Sequence, residues 1–271
     1  MPLAVTHSAL SDVGRRRSHN EDRYCTDTTL GLFIVCDGMG GSKAGEIASG
    51  LAVETIHRHI NEASQNPAFP LIGQSDPTIS LSGNRLLSAI RDANRVIHRE
   101  GRRNPDWAGM GTTVVAVLLT EQLMSFAHVG DSRLYLVRAH ALHALTADHS
   151  WVAEQVRSGL MTEAEAERSP QRNIVTRALG VAPDVDITIG EAELQAGDRL
   201  LLCSDGLTKG VGTTRLLNVL TQTDDVSGAA RQLVALANDA GGDDNTTVIT
   251  VAVHEAIEQP MWNRVRQRLA M

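Results

Sequence analysis

The chain has 271 residues, a formal net charge of −7 and a hydrophobic content of 42%, which is enough for one domain with a substantial core. Aromatic residues make up only 3% of the chain, so that core must be mainly aliphatic, and the negative charge argues against a nucleic-acid-binding protein. The three cysteines have no zinc-like spacing, and their odd number offers no disulfide framework.

The sequence contains no sign of export or of insertion into a membrane. The N-terminal residues lack the basic segment and apolar stretch of a signal peptide, and no apolar run is long enough to span a bilayer. We find no internal repeat and no second domain. We therefore expect a cytoplasmic monomer that binds neither nucleic acid nor membrane.

The first predicted elements surround a strongly patterned stretch. Residues 4–12 are predicted to form an edge strand, and a charged segment follows at residues 14–22. In residues 32–41 an apolar run of strand-forming residues ends in Asp37, and a glycine-rich turn follows at once. The strand fixes the position of Asp37, and the glycines let the backbone pass close to whatever this carboxylate holds. A hard cation such as Mg²⁺ or Mn²⁺ prefers such oxygens, although Asp-Gly is also a common simple turn.

Two helices are predicted after this stretch. Residues 44–60 have apolar side chains at helical spacing, and we expect their histidines, His57 and His59, to be exposed. Residues 66–83 are rich in Pro, Ser and Gly and are predicted to form a loop. The buried stripe of the second helix is predicted to be Leu86, Ile90, Ala93 and Ile97.

Strands follow at residues 112–119, 123–129 and 133–137. Because their connections are short, we expect these three strands to form an antiparallel meander. The second connection contains Asp131, which therefore lies in a turn between two apolar runs.

The second half of the chain begins with a polar, helical segment at residues 148–180, in which residues 162–165 have the pattern of a capping box. Strands are predicted at residues 185–193, 198–204 and 246–253, with a helix over residues 226–240. Two groups of strands, each accompanied by helices, fit a two-sheet core with helices outside.

Carboxylates recur where strands end. Asp205 closes a second apolar run and precedes a glycine, as Asp37 does, while Asp243 and Asp244 come just before the last predicted strand. With Asp131 these make four carboxylate turns. We infer that they converge on a site that binds more than one metal ion through oxygen ligands.

Short motifs extend over nearly the whole chain, at Gly14–Asp22, Asp37–Gly41, Gly111–Thr113, Gly130–Arg133, Asp148–Ser150, Arg177–Gly180, Ser204–Leu207 and Asp243–Thr247. In this order they resemble the bacterial form of the metal-dependent Ser/Thr protein phosphatases of the PPM, or type 2C, family. The resemblance implies an α+β fold, a four-layer αββα sandwich of two antiparallel β-sheets flanked by helices, with a helical flap at about residues 148–180. It places the phosphatase domain at residues 1–255 and leaves residues 256–271 as a C-terminal basic tail.

The resemblance also implies a set of metal ligands. Asp37 would bridge two core ions, Mn²⁺ or Mg²⁺, and Asp205 and Asp244 would complete the ligands of the first. The Gly38 carbonyl would bind the second ion. Asp131, together with Asp205, would hold a third, weaker ion.

Three further residues receive roles from the resemblance. Asp22 and Glu21 would act on the metals through water. Arg17, four residues before Glu21, would bind the substrate phosphate, because its planar guanidinium meets two phosphate oxygens at once. Arg15 and Arg16 have no such match and are expected to be solvated.

Two positions depart from related phosphatases. Met39 follows Asp-Gly where animal relatives carry a histidine thought to act as general acid, and Ser42 follows Gly-Gly where many bacterial relatives carry a histidine. The resemblance therefore assigns no group to protonate the leaving group, and none of the ten histidines is proposed as a catalyst.

The implied activity is hydrolysis of phosphoserine and phosphothreonine on proteins by a metal-activated water, reversing a bacterial Ser/Thr kinase. The expected partners are phosphorylated proteins, including a cognate kinase and its substrates. One alternative is a catalytically weak regulator of the same fold that only binds phosphoproteins; loss of a core aspartate would favour it, but all three core aspartates are present. Another is a phosphatase of anti-anti-sigma factors, which we expect to need attached sensory domains.

Overall fold

The computed structural model describes residues 3–41, 44–223 and 225–256. The strands are β1 (Leu3–Asp12), β2 (Asp22–Asp27), β3 (Leu32–Met39), β4 (Gly111–Thr112), β5 (Val114–Thr120), β6 (Leu123–Val129), β7 (Arg133–Arg138), β8 (Ala141–Ala144), β9 (Thr188–Glu193), β10 (Arg199–Cys203) and β11 (Thr246–Glu255). The α-helices are α1 (Ala44–Gln65), α2 (Leu81–Arg103), α3 (Trp151–Arg157), α4 (Glu163–Arg168), α5 (Asp205–Thr208), α6 (Thr213–Gln222) and α7 (Val226–Asp239), and a 3₁₀ turn spans Pro105–Trp107.

The strands form two sheets in which every neighbouring pair is antiparallel. One sheet has the order β1-β11-β10-β7-β8, and β1 lies at its edge as predicted. The other has the order β2-β3-β5-β6-β9, with β4 paired to β3. In the first sheet Leu3 pairs with Glu255, so the first and last strands of the domain form one ladder.

Three hydrophobic cores hold four layers together, which confirms the predicted αββα sandwich. Between the sheets, Phe33 and Val35 of β3 pack with Leu200 and Leu202 of β10. The opposite face of β3 packs on α1 and α2, and the outer face of the first sheet packs on α5, α6 and α7. Because both faces of the central strands are buried, they appear in the sequence as continuous apolar runs without alternation.

The predicted meander is wrong at its third strand. Strands β5 and β6 pair as expected, but β6 and β7 belong to different sheets. The turn Gly130–Ser132 therefore carries the chain across from one sheet to the other. A short connection normally joins hydrogen-bonded neighbours, but in a sandwich it also suffices to pass between the facing edges of the two sheets. Asp131 thus lies where the sheets meet.

The helices differ from prediction at several places, and the short helix α5 was not predicted. Helix α1 continues to Gln65, and α2 begins at Leu81 because the Ser80 hydroxyl accepts a hydrogen bond from the Gly83 amide and caps it. Helix α6 was not predicted, although its buried residues, Leu216, Val219 and Leu220, have helical spacing. His59, expected to be exposed, is buried where α1 packs on α2, and its Nε2 hydrogen-bonds the Ser88 hydroxyl at 2.9 Å.

The segment at residues 148–180 contains two short helices, and α4 opens with the predicted reciprocal capping box between Thr162 and Glu165. Among the described residues, no helix combines the length and apolar character needed to cross a membrane. Ser42 and all but the first residue of the predicted tail 256–271 lie outside the described residues.

Candidate functional site

A cavity of about 250 Å³ opens where the two sheets and the polar segment 148–180 meet. All the predicted site residues except Asp22 line it. The complete lining is Arg17, Glu21, Asp37, Gly38, Met39, Gly40, Thr113, Asp131, Asn173, Val175, Asp205, Lys209, Asp244 and Asn245. Residues far apart in the sequence are thus brought together, as the carboxylate turns predicted.

Asp37 is held from its backbone by the Gly111–Thr113 motif. Its amide donates to the Thr113 hydroxyl at 3.0 Å, and its carbonyl accepts from the Thr113 amide and the Thr112 hydroxyl, both at 2.8 Å. The Thr113 hydroxyl also shares a 2.7 Å hydrogen bond with the Ser132 hydroxyl. The carboxylate is left for the cavity, and its position is tied through Ser132 to the neighbouring Asp131.

Gly38 is required by a close backbone approach. A Cβ at this position would stand 2.0 Å from the Gly45 carbonyl oxygen in the first turn of α1. The Gly38 amide donates to the Glu21 carbonyl at 3.2 Å. Any side chain at residue 38 would therefore push α1 away from β3. The close packing of this helix on this strand is a second reason for the glycine.

The Asp131 turn is bracketed by His149. The Gly130 amide donates to His149 Nδ1 at 3.2 Å, and the His149 amide donates to the Gly130 carbonyl at 2.9 Å. Gly130 has a φ of 102°, and a Cβ there would stand 2.6 Å from Thr113 Cγ2, so only glycine fits. His149 thereby fixes the turn that presents Asp131.

The ring of His149 stacks on that of His128, with centroids 4.5 Å apart and planes at 14°. Burial lowers the pKa of both imidazoles, that of His149 to about 4, and the neighbouring His128 and Arg177 act in the same direction on His149. A neutral His149 ring can accept from Gly130 and donate to the Thr188 hydroxyl, which lies 3.0 Å from Nε2. His149 therefore supports the Asp131 turn through hydrogen bonds on both ring nitrogens.

Asp22 lies behind the cavity. It pairs with Asp37 in the β2–β3 ladder, and its Oδ2 accepts from the Ser204 hydroxyl at 2.8 Å. Ser204 precedes Asp205 and also accepts from the Thr247 amide at 2.9 Å. Asp22 therefore joins the two sheets beneath the site without touching the cavity.

Two cations contact the carboxylates on the far side of the cavity. Lys209 Nζ lies 2.5 Å from Asp205 Oδ2 and 3.0 Å from Asp244 Oδ2. Arg17 forms a two-point contact with Asp244, from Nε to Oδ1 at 2.9 Å and from Nη2 to Oδ2 at 3.1 Å. The predicted phosphate-binding arginine thus lines the cavity, and its guanidinium is paired with a predicted metal ligand.

Asn245 ties the charged N-terminal loop to this side of the site. Its Oδ1 accepts from the Glu21 amide at 2.8 Å, and its Nδ2 donates to the carbonyls of Val13 and His19. Its own amide donates to Asp244 Oδ1 at 3.0 Å. Glu21 is thereby placed at the cavity wall beside Asp244.

The clustered carboxylates disfavour one another's charge. Burial, then the charges of Asp22 and Asp205, raises the pKa of Asp37 well above its ordinary value. Burial raises the pKa of Asp22 and of Asp131 to about 7, and it raises that of Asp205 against the opposing charge of Lys209. A bound cation would stabilise the ionised form of these carboxylates at neutral pH.

The donor set suits hard divalent cations. The predicted ligands are all oxygens, and among the described residues Asp22 Oδ1 and Asp205 Oδ1 are buried without a hydrogen-bond partner. In the described part of the chain, no group of three or more His, Cys, Asp or Glu side chains is arranged as it stands to hold a metal ion. Mg²⁺ and Mn²⁺ keep several waters and need few protein ligands each, so the residues present fit such ions once the cations paired with Asp205 and Asp244 withdraw.

Sequence reasoning missed several lining residues. Thr113 and Asn245 belong to motifs that were recognised but received no role, and Lys209 stands one helical turn after Asp205, a spacing that could have indicated contact. Asn173 and Val175 had no local signal, because their position depends on how the segment 148–180 folds back over the cavity. Among the described lining residues there is no histidine.

Comparison with known proteins gives one consistent result. The family model described as Protein phosphatase 2C matches residues 14–244. The chain is 34% identical over 251 residues to the protein phosphatase PhpP of Streptococcus pneumoniae, covering 92% of this chain and 97% of the relative. It is 37% identical over 244 residues to the serine/threonine phosphatase stp of Listeria monocytogenes, covering 89% and 93%.

Solved structures resemble the fold over nearly its full length. The Mycobacterium tuberculosis serine/threonine phosphatase PstP/Ppp superposes with a TM-score of 0.82 at 34% identity, covering 94% of this chain and all of that one. A structure of the catalytic domain of the serine/threonine protein phosphatase PstP in complex with two manganese ions gives a TM-score of 0.80 at 34% identity, covering 93% of this chain and all of that one.

Proposed function

This chain belongs to the protein phosphatase 2C family, and from that premise we propose that the residues gathered around its cavity carry out the family's reaction. The protein is a metal-dependent phosphatase that hydrolyses phosphoserine and phosphothreonine on proteins, with Mn²⁺ or Mg²⁺ as cofactor. The observation that carries the residue assignment is the convergence of carboxylates from separate segments, together with one arginine, in a single cavity.

We assign the metal ligands as the family resemblance implies them. Asp37 would bridge two ions, Asp205 and Asp244 would complete the first set, and the Gly38 carbonyl would serve the second. Asp131 would hold a third, weaker ion. When bound, the metals supply an acidified water as nucleophile and neutralise charge on the phosphate.

Side chains around the cavity position the proposed metal ligands and the substrate phosphate. Thr113 and Ser132 fix Asp37 and Asp131 relative to each other, so the two carboxylates keep their separation without help from a ligand. Arg17, at the mouth of the cavity with its side chain 51% exposed, is free to exchange its partner Asp244 for the substrate phosphate. Glu21, at the cavity wall, and Asp22, behind it, would act on the site through water.

We further propose that residues 1–255 make up the phosphatase domain, with residues 148–180 as its flap. The protein works in the cytoplasm as a monomer and reverses a cognate bacterial Ser/Thr kinase. The relatives' names support phosphorylated proteins as substrates, and the kinase is the enzyme class that must produce them. The weakly catalytic regulator is not favoured, because the core aspartates are present and face one cavity.

Metal removal tests the mechanism. Protein treated with EDTA and then freed of chelator should not hydrolyse p-nitrophenyl phosphate or a phosphothreonine peptide, and added Mn²⁺ should restore both activities. Full activity after exhaustive chelation would show that the carboxylates do not act through metal. A phosphopeptide that is not cleaved, with p-nitrophenyl phosphate turned over normally, would contradict the assignment of protein substrates instead.

A further inference from the structure

Lys209 stands inside the proposed metal site. It projects from the end of α5, and its ammonium bridges Asp205 and Asp244, at 2.5 Å from one carboxylate and 3.0 Å from the other. These aspartates come from different segments, and both are assigned to the first metal. The side chain is 28% exposed and lines the cavity, so the contact is part of the site and not of the outer surface.

The choice of lysine at this point is notable in this chain. Lysine and arginine together number 25, and Lys209 is one of only two lysines. An ammonium group is a compact, strongly hydrated point charge with three donors, whereas a guanidinium is a planar fork. Of the two, the ammonium is closer to a metal ion in size and charge distribution, and it can sit between two carboxylates as an ion does.

The oxygens of Asp244 are already fully engaged. Arg17 contacts Oδ1 at 2.9 Å, and Lys209 and Arg17 share Oδ2 at 3.0 and 3.1 Å. Asp205 keeps one buried oxygen, Oδ1, that has no hydrogen-bond partner among the described residues. An ion that binds both aspartates therefore finds one oxygen ready on Asp205 and must displace a cation from Asp244.

We propose that Lys209 and the first metal ion compete for the carboxylate oxygens of Asp205 and Asp244, so that metal loading requires the lysine to leave its ion pairs. This inference rests on the proposed metal ligands. Lys209 holds the two aspartates together before the metal arrives, and it sets the Mn²⁺ concentration at which the site fills. Arg17 cannot do this alone, because among the described residues its ion pair is with Asp244 and not with Asp205, and its side chain is half exposed.

Lys209 can leave its two ion pairs by a movement of its side chain alone. Lys209 is the residue that ends the four-residue helix α5, and the long, flexible stem of lysine can swing its ammonium into the cavity without moving the backbone. The helix itself stays anchored by Leu207, which is buried in the core beneath it. Only the side chain has to rearrange when the metal binds.

Calorimetric titration of the metal-stripped full chain with Mn²⁺ tests the competition. Lys209→Met keeps the length of the side chain and removes its charge, so we expect the Kd of the tightest site to fall about tenfold or more. Without Mn²⁺ the variant should melt at a lower temperature than the wild type, since the two aspartates lose their shared counterion. Saturating Mn²⁺ should close that difference.

Arg16→Ala is the matched control. It removes one positive charge nearby, from an exposed contact with Asp243 at 3.5 Å, and should leave the Mn²⁺ affinity within about twofold of wild type. Equal tightening in both variants would overturn the competition and indicate a general charge effect.

Unchanged or weaker Mn²⁺ binding in Lys209→Met would also overturn the inference. If that variant does not fold, Lys209→Gln, which retains a polar head, is measured against the same expectation. A wild-type chain that binds no Mn²⁺ would instead contradict the proposed metal site, and the Lys209 inference with it. The two failures are therefore distinguished within one experiment.

Discussion

The floor and the rim of the cavity are built in opposite ways. The floor carboxylates stand at strand ends and crossings, where buried hydrogen bonds from several elements fix them, as with Asp37 and Thr113. The rim, residues 151–177, consists of two short helices and turns, with Leu160 75% exposed and Ile174 49% exposed. It reaches the cavity only through Asn173 and Val175.

From this difference we expect the floor to carry out the hydrolysis and the rim to select the substrate. A floor held by the packing of two sheets keeps the reacting groups at fixed distances whatever substrate arrives. A rim held by few contacts can vary in sequence and shape without disturbing them. Substitutions in the floor should therefore affect every substrate alike, whereas rim substitutions should distinguish a phosphopeptide from a small phosphate ester.

The largest expected effect comes from Asp37→Asn, which keeps the volume of the floor but removes the charge proposed to hold two ions. We expect kcat to fall by about 10³-fold or more on both p-nitrophenyl phosphate and phosphopeptide, measured at saturating Mn²⁺. Asp243→Asn makes the same chemical change on an exposed neighbour of Asp244 and should retain wild-type kinetics. A wild-type rate in Asp37→Asn would rule out the bridging role.

Arg17→Ala tests the boundary between floor and rim. Loss of a charge-assisted two-point contact is worth about 1.5–3 kcal/mol, so KM should rise roughly 10- to 100-fold for both substrates. Mn²⁺ binding should not weaken, because Arg17 pairs with Asp244 and does not supply a ligand. Arg15→Ala and Arg16→Ala serve as controls. An unchanged KM together with lost metal would assign Arg17 a structural role.

His149, which supports the floor, should make the unfolding free energy depend on pH. Its pKa of about 4 in the folded protein lies below that of the unfolded chain, so its stabilising contribution is present above pH 6.5 and is lost as the pH falls toward 4. Between pH 6.5 and 5 this contribution changes by about 1.5 kcal/mol, and His149→Gln should remove that part of the pH dependence of the unfolding free energy. The groups acting on this imidazole are His128, Arg177, Arg157 and Asp148.

Chemical denaturation at several pH values measures this contribution. The carboxylates titrate in the same range, so the quantity to compare is wild type minus variant at each pH. His143→Gln changes an exposed histidine and should keep the wild-type pH dependence. If wild type and His149→Gln lose stability in parallel, His149 does not stay neutral in the folded protein.

The smallest expected effect on chemistry comes from the rim. Val175→Ala shortens a side chain that lines the cavity, and we expect kcat/KM on p-nitrophenyl phosphate to stay within about twofold. The same ratio should change several-fold for a phosphopeptide, whose flanking residues reach the rim. Leu160→Ser, on the exposed outer side, is the control and should change neither. Equal losses on both substrates would mean that the rim supports the chemistry directly.

Much of the cavity's lining could be predicted from the sequence, because its carboxylates stand out in the local pattern and in the ordered motifs that carry the family resemblance. Buried strands appear as continuous apolar runs. An aspartate at the end of such a run, as at Asp37 and Asp205, lies where the strand ends and the chain leaves the sheet. The order of the motifs then indicated the family, its fold and its metal. These features depend on residues close together in the chain.

The remaining features depend on which segments meet, and only the tertiary structure decides that. The same short turn could have paired β6 with β7, but packing of the two sheets sends the chain across and brings Asp131 to the site. Periodicity could not show that His59 faces a second helix, or that His149 brackets Gly130. The four-residue spacing could indicate that Lys209 contacts Asp205, but not that it also bridges to Asp244, because that second partner is distant in the chain.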